Sequence, residues 1–414
     1  QSGLTAGQTF FVDKNGDLKL TTTVAQAVGT AVVFESAATI YCTVVYDASS
    51  QKIVIAYTDQ GNSDYGTAIV GTVSGTSISF GSPVVFASAS TEYISGVYDE
   101  NAQKVVLAYR DGGNSDYGTA IVGTVSGTSI SFGSETVFVS GQSSPWGNGA
   151  VYDANAQKVV ITYQPTSDNT GYAIVGTVSG TSISFGTASQ FESGATYAVS
   201  TAYDSDNQKV VIAFKDSGDS NYGKALVATV SGTSISFGSA VTFESANTSD
   251  TSAVYDPDSQ KIVIAFKDGG STNDGTAIVG TVSGTSISFG SPVVFETGRA
   301  DESIALYDTN AQKVVIVYQD SDNSDHGTFV VGTVSGTSIS FDSPVVFESA
   351  ETGHHHAAYD ANAQKIVTAF RDAGNSNYGT ATVIETGSDT SGSLSTDAVP
   401  AGTALSATKL LVKG

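Results

Sequence analysis

A unit of about 52 residues recurs seven times along this chain, and no other feature constrains its fold as much. The pair Tyr-Asp returns with its Tyr at 46, 98, 152, 203, 255, 307 and 359, spaced by 52, 54, 51, 52, 52 and 52 residues. A Gln-Lys pair follows each at a fixed offset, and the string VSGTSISF occurs unchanged six times, from Val73, Val125, Val178, Val230, Val282 and Val334. Seven copies of 52 make 364 residues, the length of the segment 24–387. A chain of 414 residues would otherwise suggest two or three domains; the repeat overrides that prior.

One copy reads as four strands. In the second copy the first strand ends at Gly96-Val97-Tyr98, and Asp99 to Gln103 make a turn. The second strand is Lys104 to Tyr109, and an Asp/Gly/Asn loop leads to a third strand from Tyr117 to Val125. Ser126-Gly127 turns the chain into a fourth strand, from Thr128 through Phe132 towards Phe138. Short strands, Gly-rich turns and no 3.6-residue period predict an antiparallel meander. The run Val105-Val106-Leu107-Ala108-Tyr109 is apolar without alternation, as in a strand covered on both faces. A sheet covered on both sides by copies of itself is a propeller blade. The expected fold is all-β: a seven-bladed propeller of four-stranded antiparallel blades.

The seventh copy stops after its third strand, and Val24 to Phe34 (VAQAVGTAVVF) aligns with the missing TSISFGSPVVF. The N-terminal segment is therefore expected to complete the last blade and remove its unpaired edges. The remainders, 1–23 and 388–414, are expected to pair as a small β-module standing off the propeller. Asn15-Gly16 marks a hairpin in the first, and Ala404 to Lys413 reads as one strand in the second.

Composition removes competing classes. Cys42 is the only Cys, so a disulfide scaffold is excluded. A net charge of −23, from 17 Lys plus Arg against 40 Asp plus Glu, disfavours nucleic acid and anionic lipid as partners. No apolar run approaches the roughly 18 residues of a membrane span. With 40% hydrophobic residues the chain is not disordered. With no Met even at position 1, it is expected to be processed or trimmed.

The two ends carry a resemblance. GLTAGQTFFVDKNGDLKLTTT at the front and VPAGTALSATKLLVKG at the back resemble a short β-module of virion proteins of tailed bacteriophages. The matching points are Gly3-Leu4-Thr5, Phe10-Phe11-Val12, Ala401-Gly402 and Ala404 to Thr408, with Phe10-Phe11 where Tyr-Tyr is usual. The GTVSGTSISFG repeat likewise resembles repeats in virion-surface proteins of marine phages. The resemblance implies a place on the virion surface, in a fibre, a tail or a capsid decoration, with the terminal module docking to other virion proteins.

Strand alternation sorts the loops. The Tyr-Asp and Ser-Gly turns share one face and hardly vary between copies. The opposite face carries the Asp/Gly/Asn loops and the segments that diverge most, such as AATIYC, SASTEYIS and VSGQSSPWGNG. Five residues before each Tyr-Asp stand Tyr41, Tyr93, Gly147, Ala198, Asp250, Glu302 and His354, and one step earlier lie Trp146 and Tyr197. Aromatic faces stack on apolar sugar faces, and variable loops on a rigid scaffold commonly carry binding. The candidate ligand-binding residues are Tyr41, Tyr93, Trp146, Tyr197, Asp250, Glu302 and His354.

Catalytic patterns are missing. No Gly-x-Ser-x-Gly elbow, HExxH or P-loop occurs. Of the three Arg, Arg110 and Arg371 hold equivalent places after the second strand and read as surface residues. The loop from Asp320 to Asp325 lacks the Gly and Glu of an EF-hand register and reads as a turn. Adjacent residues of a strand point to opposite faces, so His354-His355-His356 cannot all hold one ion. Cys42 reads as a packed small residue, and each Lys of Gln-Lys is expected to face its own turn's Asp or solvent. No enzyme activity, metal or cofactor is expected. The expected function is attachment to a host-surface receptor or glycan, outside the cell on the virion; the alternatives are a purely structural decoration protein, a secreted bacterial lectin and, last, a propeller glycan hydrolase.

Overall fold

In the computed structural model, the described residues are 9–12, 18–20, 23–389, 400–406 and 409–412, with side chains described over 25–143 and 149–387. Two compact units result: Val28–Ile384, and Gln1–Ala27 with Glu385–Gly414. The described residues are strand apart from turns and short 3-10 segments.

Each copy in the larger unit builds an antiparallel sheet, and its longest strand serves two sheets. Val84–Asp99 starts against the first copy, where Val84 and Val85 pair with Ala68 and Thr67. It then crosses over, so that Val97 and Tyr98 pair with Val106 and Val105 of the second copy. Lys104–Asp111, Tyr117–Ser126 and Ser129–Phe132 complete the second copy's meander. β-branched and aromatic residues dominate these runs, as a half-buried pleated surface favours.

The expected continuous fourth strand is broken. It pairs as Ser129–Phe132, leaves the ladder at Gly133, and resumes at Thr136 opposite Ala120. The cause is a close approach. A Cβ on Gly133 would lie 1.9 Å from the carbonyl oxygen of Thr181, in the next copy's Ser-Gly-Thr turn. The same contact recurs from Gly81 to Thr128, Gly186 to Thr233, Gly238 to Thr285, Gly290 to Thr337, and Gly29 to Thr76. Position 342 alone holds Asp in this register, and the copy after it is the one that lacks the turn. Gly133→Ala is expected to cost about 1–3 kcal/mol by overpacking, whereas Asp342→Gly should shift stability by well under that; equal effects in chemical denaturation would contradict the account.

Each second strand feeds two cores. Val105, Leu107 and Tyr109 pack with Val54, Ala56 and Val70 of the first copy. Val106 and Ala108 pack with Val159, Ile161 and Tyr163 of the third. Covering on both faces by neighbouring sheets explains the unalternating apolar runs.

The first and last copies meet in the same way as internal neighbours. Val32 and Val33 pair with Ala381 and Thr380, and the Gly29 N–H donates to the Val383 carbonyl at 2.8 Å. Phe34, Val44, Ile53 and Tyr57 share a core with Val367, Ala369 and Val383. The Tyr of each Tyr-Asp reaches the turn of the preceding copy: the Ser49 N–H donates to Tyr98 Oη at 3.1 Å, and the Asn310 N–H to Tyr359 Oη at 3.1 Å. Tyr46 takes the same contact from the last copy's Asn362 N–H, at 3.2 Å.

The Asp of each pair caps its own turn, accepting for example from Ala102 N–H at 2.8 Å and Ala156 N–H at 2.8 Å. Burial raises the Asp99, Asp153 and Asp360 carboxyls above their usual range. The turn amides oppose that shift, and so, more weakly, do Lys158, Lys209 and Lys52. These three cations belong to the next copy's turn, while the Lys104, Lys158 and Lys365 Nζ groups are exposed and donate to the carbonyl of their own Gln, in keeping with the expected solvent-facing place.

In the smaller unit, Thr9–Val12 pairs with Leu18–Leu20 on one side and Pro400–Ser406 on the other. Lys409–Val412 then pairs with Pro400–Ser406, so the C-terminal segment forms two antiparallel strands where one was expected. A fold back on itself satisfies both strands' backbone groups. Asn15-Gly16 and Ala407-Thr408 lie outside the described residues.

Candidate functional site

The divergent position is a β-bulge. In the first copy Ile40 pairs with Thr58 and Thr43 with Ala56, so Tyr41 and Cys42 together oppose the single residue Tyr57. The same skip falls at Ala198-Val199, Asp250-Thr251, Glu302-Ser303 and His354-His355. A bulge re-aims side chains out of the pleat. The first residue of each pair sits in the left-handed region: φ is 52° at Tyr41, 53° at Tyr93, 48° at Ala198, 52° at Asp250, 51° at Glu302 and 53° at His354. That conformation costs an L-residue about 1–2 kcal/mol, and such strain gathers at functional sites.

The bulges converge. Tyr41, Tyr93, Tyr197, Asp250, Glu302 and His354 line one cavity of about 510 Å³, floored by the second bulge residues Cys42, Ile94, Val199, Thr251, Ser303 and His355. The Tyr41 ring centre lies 4.9 Å from that of Tyr93 and 5.6 Å from that of His354. Six of the seven candidate residues therefore share one site. Trp146 falls in a wider bulge, where the ladder skips the four residues 146–149 between Pro145 and Ala150; its side chain lies outside the described residues.

Electrostatics differ around the wall. Burial pushes the Tyr41 hydroxyl up to about 12, with Tyr93 adding to the shift. Burial raises the Glu302 carboxyl too, against the His355 N–H that donates to its Oε2 at 3.2 Å. Asp250 meets Lys267 Nζ at 2.7 Å. Burial pushes the Cys42 thiol up to about 12, as fits its packed place.

Alternation was expected to split the His triplet between two faces, but all three residues line the cavity because the bulge interrupts the pleat. Their surroundings still separate their roles. His356 Nδ1 accepts the Val44 N–H at 3.0 Å, taking the place of hydroxyls such as Ser200, whose Oγ accepts the Ala253 N–H at 2.9 Å. The His355 ring packs against Phe347 and Phe370, and neither of its nitrogens has a hydrogen-bond partner among the described residues.

A second divergent position escaped the sequence reading. The residue before the last of each second strand is Thr58, Arg110, Gln164, Lys215, Lys267, Gln319 or Arg371, between nearly constant neighbours. That variation was the available signal. Arg110 and Arg371 are mostly covered, with side chains 20% and 28% exposed, not free surface residues. Arg110 clamps Glu92, its register partner on the neighbouring strand, at 3.1 Å, and Asp116, in the loop that follows, at 3.0 Å. Arg371 and Gln319 line a polar cleft of about 450 Å³ with Arg299, Asp301 and Glu351. The neighbouring Asp loops are turns: Asp59 accepts the Gly61 N–H and Asp111 the Gly113 N–H, both at 2.9 Å.

No protein-family model and no curated protein matches the chain. Solved structures resemble it in fold. A lectin from Burkholderia pseudomallei aligns with a TM-score of 0.60 at 8% identity, covering 85% of this chain and 97% of its own. A protein from Lactobacillus plantarum gives 0.54 at 14% identity, covering 84% and 96%. A Dyadobacter fermentans protein of unknown function gives 0.50 at 11% identity, covering 88% and 99%. At such identities the likeness is one of architecture, all-β and propeller-like.

Proposed function

We propose that the larger unit is a seven-bladed propeller closed by its N-terminal segment. We propose further that the protein stands on a phage virion and attaches to a host-surface glycan or receptor through the bulge-lined cavity. The observation that carries the attachment reading is the convergence of the chain's most divergent residues on one cavity. Turns on the other rim stay nearly identical across the copies. Drift would scatter differences over both rims. Closure is supported by the pairing of Val32 and Val33 with Ala381 and Thr380, and by the Tyr46 contact with Asn362. The virion reading is supported by the resemblance of both terminal segments, and the module they build is proposed to dock to other virion proteins.

A glycan suits this wall. Tyr41, Tyr93 and Tyr197 offer ring faces, and Asp250, Glu302 and Lys215 offer hydrogen-bonding groups beside them. The test is glycan-array and whole-cell binding of the full chain. Tyr93→Ala and Tyr197→Ala are each expected to weaken binding about tenfold, the equivalent of about 1.4 kcal/mol, while Lys104→Ala on the constant rim leaves it unchanged. Binding that ignores both Tyr substitutions, or no binding to any glycan or cell, would leave a purely structural decoration protein as the better reading.

A further inference from the structure

We propose that the cavity takes a carboxylate-bearing sugar, a uronic acid residue, whose carboxylate sits on Lys215. This rests on the attachment reading above and names the ligand class of the same site.

The argument comes from comparing two neighbouring copies. In the fifth copy Lys267 stands between two carboxylates: its Nζ lies 2.7 Å from Asp250 Oδ2 and also meets Asp301 Oδ1. Asp250 is that copy's bulge residue, and Asp301 directly precedes the next copy's bulge residue, Glu302. One copy earlier the cation is retained as Lys215, but the two corresponding positions are Ala198 and Ser249. All three of these residues line the cavity. Among the described residues, no carboxylate forms an ion pair with Lys215. The fold repeats the cation and omits its anions, and the adjoining copy shows what such a seat accommodates.

The rest of the wall suits a sugar ring. Tyr197 pairs in register with Lys215 and is 36% exposed, so an aromatic face lies beside the charge. Ser249 and Ser303 also line the cavity, so hydroxyl-bearing residues belong to the same wall. The net charge of −23 opposes an anion from afar. Exposed charges beyond about 8 Å are largely screened at physiological salt, however, whereas Lys215 acts at contact. Asp250 does not compete, because Lys267 already neutralises it.

The test titrates the full chain with disaccharides of glucuronic and galacturonic acid and with their carboxyl-reduced, neutral counterparts. The uronates are expected to bind, with the reduced sugars weaker by about tenfold or more. Lys215→Met and Ala198→Asp should each lower uronate affinity by a similar factor. Ala198→Asp fills the seat from within, at a φ of 48° close to the 52° that Asp250 adopts, so its melting temperature should hold or rise. Equal binding of charged and neutral sugars, or uronate binding untouched by Ala198→Asp, overturns the proposal and leaves the attachment reading standing. If neither set binds and the array is also blank, both fall.

Discussion

Phe34→Ala is expected to destabilise the larger unit by about 3–5 kcal/mol, as burial of a large aromatic predicts. It should cost as much as Phe243→Ala in the middle of the chain. The two rings occupy matching places, each 7% exposed. Phe243 lies over Gly223 and 5.2 Å from Phe266, between the fourth and fifth copies. Phe34 lies over Gly379 of the last copy and 5.1 Å from Tyr57 of the first. Sequence separation does not matter to that packing if the ends are joined. Chemical denaturation of both variants compares them directly. A small effect at Phe34 beside a full effect at Phe243 would mean that the first and last copies come apart in solution.

Acid should draw stability from the fold at its His triplet. Burial pushes His354 down to about 4, with Arg371 adding to the shift. Burial pushes His355 down to about 3, with His354 adding, and His356 to about 4 by burial alone. A depressed His pKa means that the unfolded chain takes up the proton first. The associated stability is complete above about 6.5 and is lost as pH falls towards the folded values, at about 1.4 kcal/mol per pH unit for each ring. Raised carboxyls such as Glu302 and Glu35 act in the opposite sense, so the single ring has to be isolated. His355→Phe does this, since the ring already packs on Phe347 and Phe370. Between pH 8 and pH 5 the unsubstituted protein should lose about 2 kcal/mol more than this variant. Parallel stability curves for the two would show that His355 is not held neutral by the fold.

The repeat and its antiparallel strand order were legible because identical local sequences recur at equal spacing. The candidate positions were legible for the opposite reason: they are where the copies stop agreeing. What sequence hid was backbone geometry. Tyr41 and Glu302 carry no signal for a left-handed conformation, so the bulge was invisible and the His triplet was assigned to alternating faces. Gly133 looked like one more strand glycine, because the Thr181 carbonyl that excludes a side chain arrives from another copy. Arg110 and Arg371 looked like surface residues, because the carboxylates that clamp Arg110 come from another strand and from a loop, and Lys215 was not singled out, because nothing local marks its place on the cavity.

Amide hydrogen exchange at the joint between the first and last copies tests the ring itself. The Val44 N–H is held by His356 Nδ1 and the Gly29 N–H by the Val383 carbonyl, as the Ala253 N–H is held by Ser200 Oγ and the Gly81 N–H by the Val70 carbonyl. A continuous ring predicts that Val44 and Gly29 are protected to within about tenfold of Ala253 and Gly81. Exchange at Val44 and Gly29 that is about a hundredfold or more faster, with the internal pair still protected, would contradict it.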